Sequence, residues 1–443
     1  LPNSLTGSAW IKREDNAMNY EWEYLIYLTR CGACGEVPAP PAREIDWRSL
    51  LRLAYEQEVS ATVAKALKQG ATGCPDVLLQ AQVSQMRGVA VQNVRRAEGW
   101  LSLLKTAAQQ GLDILVIKGY DVARFYHNPE CRVANDLDLL VREQQEQETF
   151  RFLQAHGFEM EERKPDSNHA VGEHPLLGMA ELHISLISER FCRLFAGWNL
   201  NESAFENVQQ IAFSGGSFQA MEATNSLLFL TFHLIKHFLY NGISLKMLWD
   251  IALFAENALQ NIDTARYRQL LQNSRYDYFM RNVFGIMVRY GGFQKEDFPL
   301  EPAENTADIE ALLQNVFESG AMGKNMAADE QSAWMFYYYD FAQSKHSRED
   351  LALINAAKRE DVRSGVFPSV AVLSRRYPVL LRRKWLYPFC WLHRLVTRGF
   401  AFVFSRKRLS RRKVKEKEEL SPQAQEKIRL LQRFHIVENI NKV

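Results

Sequence analysis

Residues 113–141 read DILVIKGYDVARFYHNPECRVANDLDLLV, and the fold turns on them. Two short apolar runs, 114–117 and 137–141, are rich in β-branched and aliphatic residues and bounded by polar clusters, the pattern of two buried strands. Lys118 and Gly119 stand where the first strand ends and a helical pattern (Val122, Ala123, Phe125, Tyr126) begins. Backbone N–H groups at such a helix start point beyond the sheet edge, a place suited to phosphate. In the second strand Asp136 and Asp138 are two residues apart, so their carboxylates share one face while Leu137 and Leu139 point into the core.

Two close carboxylates repel unless a cation sits between them, and a hard divalent cation with oxygen ligands is the usual solution. A bare D-x-D triplet also arises by chance, as a pair of exposed strand-edge acids. Here the pair opens an apolar strand, with Arg132 just upstream and the Lys-Gly turn before that. This arrangement suits a nucleoside triphosphate with its metal. Between Phe158 and Leu186 two or three further strands are expected. Glu181 and His183 alternate there with Leu182 and Ile184, so the acid and the imidazole share one face, and Glu181 supplies a third carboxylate. His169 falls on the expected neighbouring strand, where it either lines the cleft or is an ordinary polar residue.

The order IKG, a Tyr-rich helix, R-x-x-N-D-L-D-L-L-V, a helix ending in HGFE, then A-E-L-H resembles the nucleotidyltransferase superfamily of the polymerase-β type. More closely, it is similar to the family of uncharacterised nucleotidyltransferases, with its L-K-G motif, its R-x-x-x-D-x-D-L-L-V strand and its later E/D-L-H strand. The similarity runs from about Ile45 to Phe254, with looser echoes at FESGAMGK and near 387–394. It implies transfer of a nucleoside monophosphate from an NTP to an acceptor, with Mg²⁺, or Mn²⁺ in its place, and release of pyrophosphate. On that reading Asp136 and Asp138 hold a cation on the triphosphate, and Asp136 and Glu181 bracket a second one, with Glu181 also the candidate base. Lys118, Gly119 N–H and Arg132 would neutralise phosphate. One departure stands out: most of the superfamily has Gly-Ser at the strand-to-helix turn, where this chain has Lys-Gly followed by Tyr120. The resemblance does not supply the acceptor, which could be a small molecule, a saccharide, a protein or RNA. The competing reading is a non-catalytic nucleotide-binding or scaffold protein.

The expected fold class is α+β: a small mixed-sheet nucleotidyltransferase core flanked by N-terminal and C-terminal helical regions. The expected borders are a helical region over 1–110, the core over 111–220, a helical domain over 221–365 and a basic amphipathic tail over 366–443. Asp46 can cap a helix with Leu50, Leu51 and Ala54 on its apolar face, and a long helix should run from about 77 to 110 and stop at Gly111. After Val141 an amphipathic helix should pack Phe150 and Leu153 on the sheet. LLFLTFHLIKHFLYN then places His233, Lys236, His237 and Tyr240 on one stripe of a largely apolar helix, and the next helix sets Lys246 and Asp250 four residues apart. The stripe is read either as a satisfied helix-helix interface or as the far wall of the cleft, with Lys236 and Lys246 facing triphosphate or acceptor.

At 443 residues the chain has room for two or three domains. Its 54 Lys and Arg nearly balance 52 Asp and Glu, so any polyanion binding must be local. Six scattered cysteines fit a reducing cytoplasm. Cys31-Gly-Ala-Cys34 lacks the second pair a zinc site needs and reads as a Gly-rich helix end. No apolar run reaches membrane-spanning length, and LPNSLTGSAWIKRED lacks the pattern of a signal peptide, so the expectation is a cytoplasmic protein. The aromatic cluster Trp334, Phe336, Tyr337, Tyr338 and Tyr339 sits in an acidic region and reads as packing surface. Over 375–417 Arg and Lys interleave with Trp and Phe. Docking on the acidic region is the first reading of that segment, an anionic membrane's inner face the second and nucleic acid the third.

Overall fold

The computed structural model describes residues 19–134, 136–163, 167–188, 191, 194–195, 197–240, 242–319 and 422–436. Contacts divide the chain into two units, residues 1–326 with 433–436, and residues 327–432 with 437–443. The first carries everything that follows. Of the second, most of one amphipathic helix (Pro422–Arg433) is described.

Four helices precede the sheet: α1 (Tyr20–Cys34), α2 (Trp47–Glu56), α3 (Ser60–Gln69) and α4 (Asp76–Gln109). Gly35 ends α1 in the left-handed region at φ 77°, with its N–H bonded to the Cys31 carbonyl, so the Cys31 and Cys34 pair is a helix end with both thiols free. Asp46 caps α2 by accepting the N–H groups of Arg48 and Ser49. The 34 residues of α4 extend about 51 Å. Its first half packs Val83 and Met86 against Ala61 and Ala64 of α3. Its second half lays Trp100, Leu101 and Leu104 on the sheet, so one helix buttresses both layers.

The sheet contains β1 (Ile114–Val116), β2 (Asp136–Val141), β3 (Glu159–Glu161), β4 (His169–His174), β5 (Gly178–His183), β6 (Gln209–Phe213) and β7 (Gly216–Ala220). Its order is β3-β4-β5-β2-β1-β7-β6. β2 runs parallel to β5, β1 runs parallel to β7, and the other pairs are antiparallel. This is the expected α+β class with a mixed sheet. Between β1 and β2 the helix α5 (Tyr120–Ala123) is a single turn. That corrects the longer helix expected through Tyr126, and a single turn carries little dipole to offer a phosphate. On α6 (Glu146–Ala155) Leu153 and Phe152 are buried while Phe150 is half-buried, so the inward face is centred one residue from the expected pair. After the short α7 (Leu200–Ser203), the β6–β7 hairpin had no counterpart among the expected elements. Its two-residue loop, Ser214 at φ 48° and Gly215 at φ 81°, has the positive φ pair that matches strand twist.

The helical half follows: α8 (Ala223–Tyr240), α9 (Leu245–Ala258), α10 (Thr264–Asn273), α11 (Asp277–Tyr290) and α12 (Thr306–Ser319). The Glu222 carboxylate accepts the N–H groups of Thr224 and Asn225 and opens α8. Phe434 is fully buried against Phe238 and Phe279. Among the described residues no helix is long and apolar enough to cross a membrane. The aromatic cluster at 334–339, the basic segment 375–417, and the echoes at FESGAMGK beyond Ser319 and near 387–394 lie outside the described residues.

Candidate active site

Strand alternation builds the centre of the site. Leu137 and Leu139 are buried in the core, which turns Asp136 and Asp138 to the opposite face. The parallel register sets Asp138 beside Glu181 and Leu140 beside His183, and the antiparallel β4 register sets His169 opposite His183. Carboxylate oxygens of Asp136, Asp138 and Glu181 therefore lie within 4.8 Å of one another. The three acids expected to act together are brought together by the single β2–β5 ladder.

These acids do not share one environment. Asp138 is buried, and burial alone would favour its neutral form. Against that, the Lys118 ammonium at 2.8 Å and the His183 imidazole at 3.3 Å hold its carboxyl well below the usual range. His183 Nε2 lies 3.4 Å from Glu181 and holds that carboxyl low as well. Asp136 is pushed up, first by burial and then by the charges of Asp138 and Glu181, although Lys118 pulls the other way. Asp136 is thus the acid whose charge the protein leaves least compensated. A divalent cation facing the three carboxylates would supply the missing charge, and the all-oxygen donor set suits a hard ion.

Lys118 reaches further. Its Nζ is 3.3 Å from His233 Nε2, which in turn is 3.2 Å from His237 Nε2 on the next turn of α8. Burial first, then nearby lysines, keep both rings below the ordinary histidine range, His237 down to about 3. The stripe on α8 therefore meets the sheet as neutral imidazoles against an ammonium. Lys236 lies to one side, its ammonium 5.9 Å from the centre of the Phe232 ring. Gly119 has φ 68°, and an added Cβ would come within 3.1 Å of Leu137, so the turn after β1 favours glycine.

Arg132 is tied into the fold. Its Nε and Nη2 donate to the two oxygens of Asp250 at 2.7 Å each, the Tyr126 hydroxyl donates to the same carboxylate at 2.8 Å, and Arg132 is only 4% exposed. A guanidinium so enclosed is a strut that braces the β2 approach against α9, and the Arg132 side chain also borders both cavities beside Asp136. Asp250 is likewise spoken for. Lys246 sits 3.9 Å from both Asp250 and Glu58, loosely held, and burial lowers its pKa.

Two cavities meet at Asp136. One is lined by Lys118, Gly119, Arg132, Asp136, His233 and Lys246. The other, about 680 Å³, is lined by Arg96, Trp100, Tyr120, Asp136, Leu177 and Phe213. The basic cavity draws on residues already prominent in the sequence. The aromatic one was not anticipated, because it is assembled from α4, the β1 turn and the β6–β7 hairpin, and only the Tyr120 that follows Lys-Gly hinted at it.

A mixed sheet with three facing acids on adjacent parallel strands, a lysine on the turn beside them and a helical half behind it has the makings of a transferase that handles charged phosphate. Residues 43–290, more than half of the chain, match the model of the uncharacterised nucleotidyltransferase family, and the chain belongs to that family. No curated protein and no solved structure matches it.

Proposed function

We propose that this protein is a metal-dependent nucleotidyltransferase that moves a nucleoside monophosphate from an NTP to a hydroxyl acceptor and releases pyrophosphate. The observation that carries the reading is the convergence of Asp136, Asp138 and Glu181 within 4.8 Å on one sheet face, beside Lys118 and a basic cavity. Asp136, Asp138 and Glu181 would hold Mg²⁺, or Mn²⁺. When bound, that cation supplies Lewis-acid stabilisation of charge on the phosphate and acceptor oxygens.

The chain's own groups do the rest. Lys118 and Lys246, with Gly119 N–H, bind the polyphosphate in the basic cavity and neutralise the pyrophosphate as it leaves. Lys118 now pairs with Asp138, so phosphate binding draws its ammonium from the carboxylate. Glu181, held ionised by His183, takes the proton of the acceptor hydroxyl. His233 and His237, kept neutral, support Lys118 without adding charge that would repel a cation. The aromatic cavity on the other side of Asp136 offers flat apolar walls for the base or the acceptor.

Thermal denaturation with each of the four common NTPs, with and without Mg²⁺, tests the reading. A ligand at about a hundred times its Kd adds about 2.7 kcal/mol. An Mg²⁺-dependent shift with an NTP, lost in Asp136→Asn, is expected; no shift with any NTP would sink it. One observation favours a second reading, nucleotide binding without transfer: Lys118 already neutralises Asp138 as a metal would. Mg²⁺-dependent NTP binding with no pyrophosphate release across an acceptor screen would select it.

A further inference from the structure

We propose that His169, Glu181 and His183 form a second cation site, for a borderline transition-metal ion such as Zn²⁺, beside the carboxylate triad and sharing Glu181 with it. The inference rests on reading this sheet face as a cation-binding surface, and adds a site of different donor chemistry. Ligand atoms of the three residues lie within 4.8 Å of one another. That closeness follows from register: His169 and His183 are direct partners across β4 and β5, and Glu181 precedes His183 by two residues on the same face.

The spacing matches a coordination shell. Ligands around a tetrahedral ion with bonds near 2.1 Å stand about 3.4 Å apart. His183 Nε2 and Glu181 Oε2 are 3.4 Å apart, and His169 Nε2 is 4.0 Å from the same oxygen, so a small turn of the half-exposed His169 ring completes the set. The two rings are tilted by 36° with centres 5.0 Å apart. His183 adds the second, independent sign. Its side chain is 9% exposed, its Nδ1 has no hydrogen-bond partner, and its Nε2 faces the carboxylates of Glu181 and Asp138 at 3.4 and 3.3 Å. Buried polar atoms are rarely left so. A cation bound to Nε2 would face the same two carboxylates and fix the ring tautomer with the proton on Nδ1.

Donor type separates the two sites. Asp136, Asp138 and Glu181 offer oxygen only, which suits Mg²⁺ or Mn²⁺. Two imidazoles and a carboxylate suit Zn²⁺ and its neighbours, and three protein ligands leave a fourth position open.

The test is metal titration of the full chain after chelator treatment and dialysis, with Zn²⁺ as the probe and calorimetry and elemental analysis as readouts. Expected is one Zn²⁺ per chain that survives a large excess of Mg²⁺. Affinity should fall at least about tenfold in His169→Ala and further in His183→Gln, yet persist in Asp136→Asn. His169 is half-exposed, so its variant should fold even if the His183 variant does not. Three results would overturn the site: no stoichiometric Zn²⁺, Zn²⁺ binding unchanged in His169→Ala, as a thiol site would give, or binding lost in Asp136→Asn, which would place the ion in the triad. A His-dependent Zn²⁺ site with no Mg²⁺-NTP shift would leave this inference standing and defeat the nucleotidyl-transfer reading alone.

Discussion

Two clusters near the start of β2 each set a basic side chain against a buried aspartate. In one, Arg132, Asp250 and Tyr126 close on each other: the carboxylate accepts three hydrogen bonds of 2.7–2.8 Å. In the other, Lys118, Asp138, Glu181 and His183 meet at 2.8–3.4 Å, and the buried His183 Nδ1 still has no hydrogen-bond partner. The first cluster is complete as it stands and serves the fold. The second has capacity left over, and that surplus is what a cation or a phosphate can use. A buried charge by itself therefore says little about function; whether its hydrogen-bonding capacity is exhausted says more.

The largest expected effect falls on the open cluster. Asp138→Asn should lower Mg²⁺-dependent pyrophosphate release by about four orders of magnitude, about 5 kcal/mol, while circular dichroism and solubility stay those of the parent protein. Full activity in that variant would break the comparison at its functional end. The closed cluster should answer through stability instead. Asp250→Ala or Arg132→Ala should each cost about 3–5 kcal/mol in urea unfolding, because each strands a buried partner. The pair Arg132→Met with Asp250→Leu should cost clearly less than the sum. If Arg132→Ala keeps full stability and loses NTP binding, the strut is a phosphate ligand after all.

Acid separates the clusters as well. Burial raises the Asp250 carboxyl, but Arg132, Lys246 and the hydrogen bonds outweigh it, so its folded pKa lies below the ordinary aspartate value. Such a group contributes stability that is fully present above about pH 4, the unfolded value, and is lost as pH falls through the folded one. Stability measured from pH 5 downward should therefore decline less steeply in Asp250→Asn than in the parent. Lys118→Met is expected to weaken NTP binding about tenfold and to tighten Mg²⁺ binding to the free protein, since the ammonium competes for Asp138. Isothermal titration of each ligand checks both signs. Smallest is Asp46→Ala, which removes the cap of α2 and should cost about 1 kcal/mol with no change in NTP binding.

The open cluster was largely legible in the sequence, and the closed one was not. Asp136, Asp138, Glu181 and His183 declare themselves through period-2 alternation with leucines, a local signal that survives any tertiary arrangement. His169 could be placed on a neighbouring strand for the same reason. The pairing of Arg132 with Asp250 was not legible, because the partner lies 118 residues away on α9 and no local period reports a contact of that range. Lys246 and Asp250 were visible as an i, i+4 pair, but not that Asp250 would turn to Arg132. Helices with capping residues were readable, α2 through Asp46 and α1 through its glycine end. The β6–β7 hairpin was missed although Ser214-Gly215-Gly216 is a turn signal, since its strands are five residues each and half polar. The family match covers residues 43–290 and so includes both clusters.

The pairing of β2 with β5 has a consequence for how errors in folding would be felt. Asp136 and Asp138 ride on β2 with Leu137 and Leu139 between and behind them, so a slip of β2 by one residue against β5 would turn both aspartates inward and bring those leucines out together. Glu181, His183 and His169 would be left facing the cleft without the two aspartates. A chain caught in that register would lack the carboxylate cluster and expose apolar surface at once, so loss of the site and loss of solubility would go together.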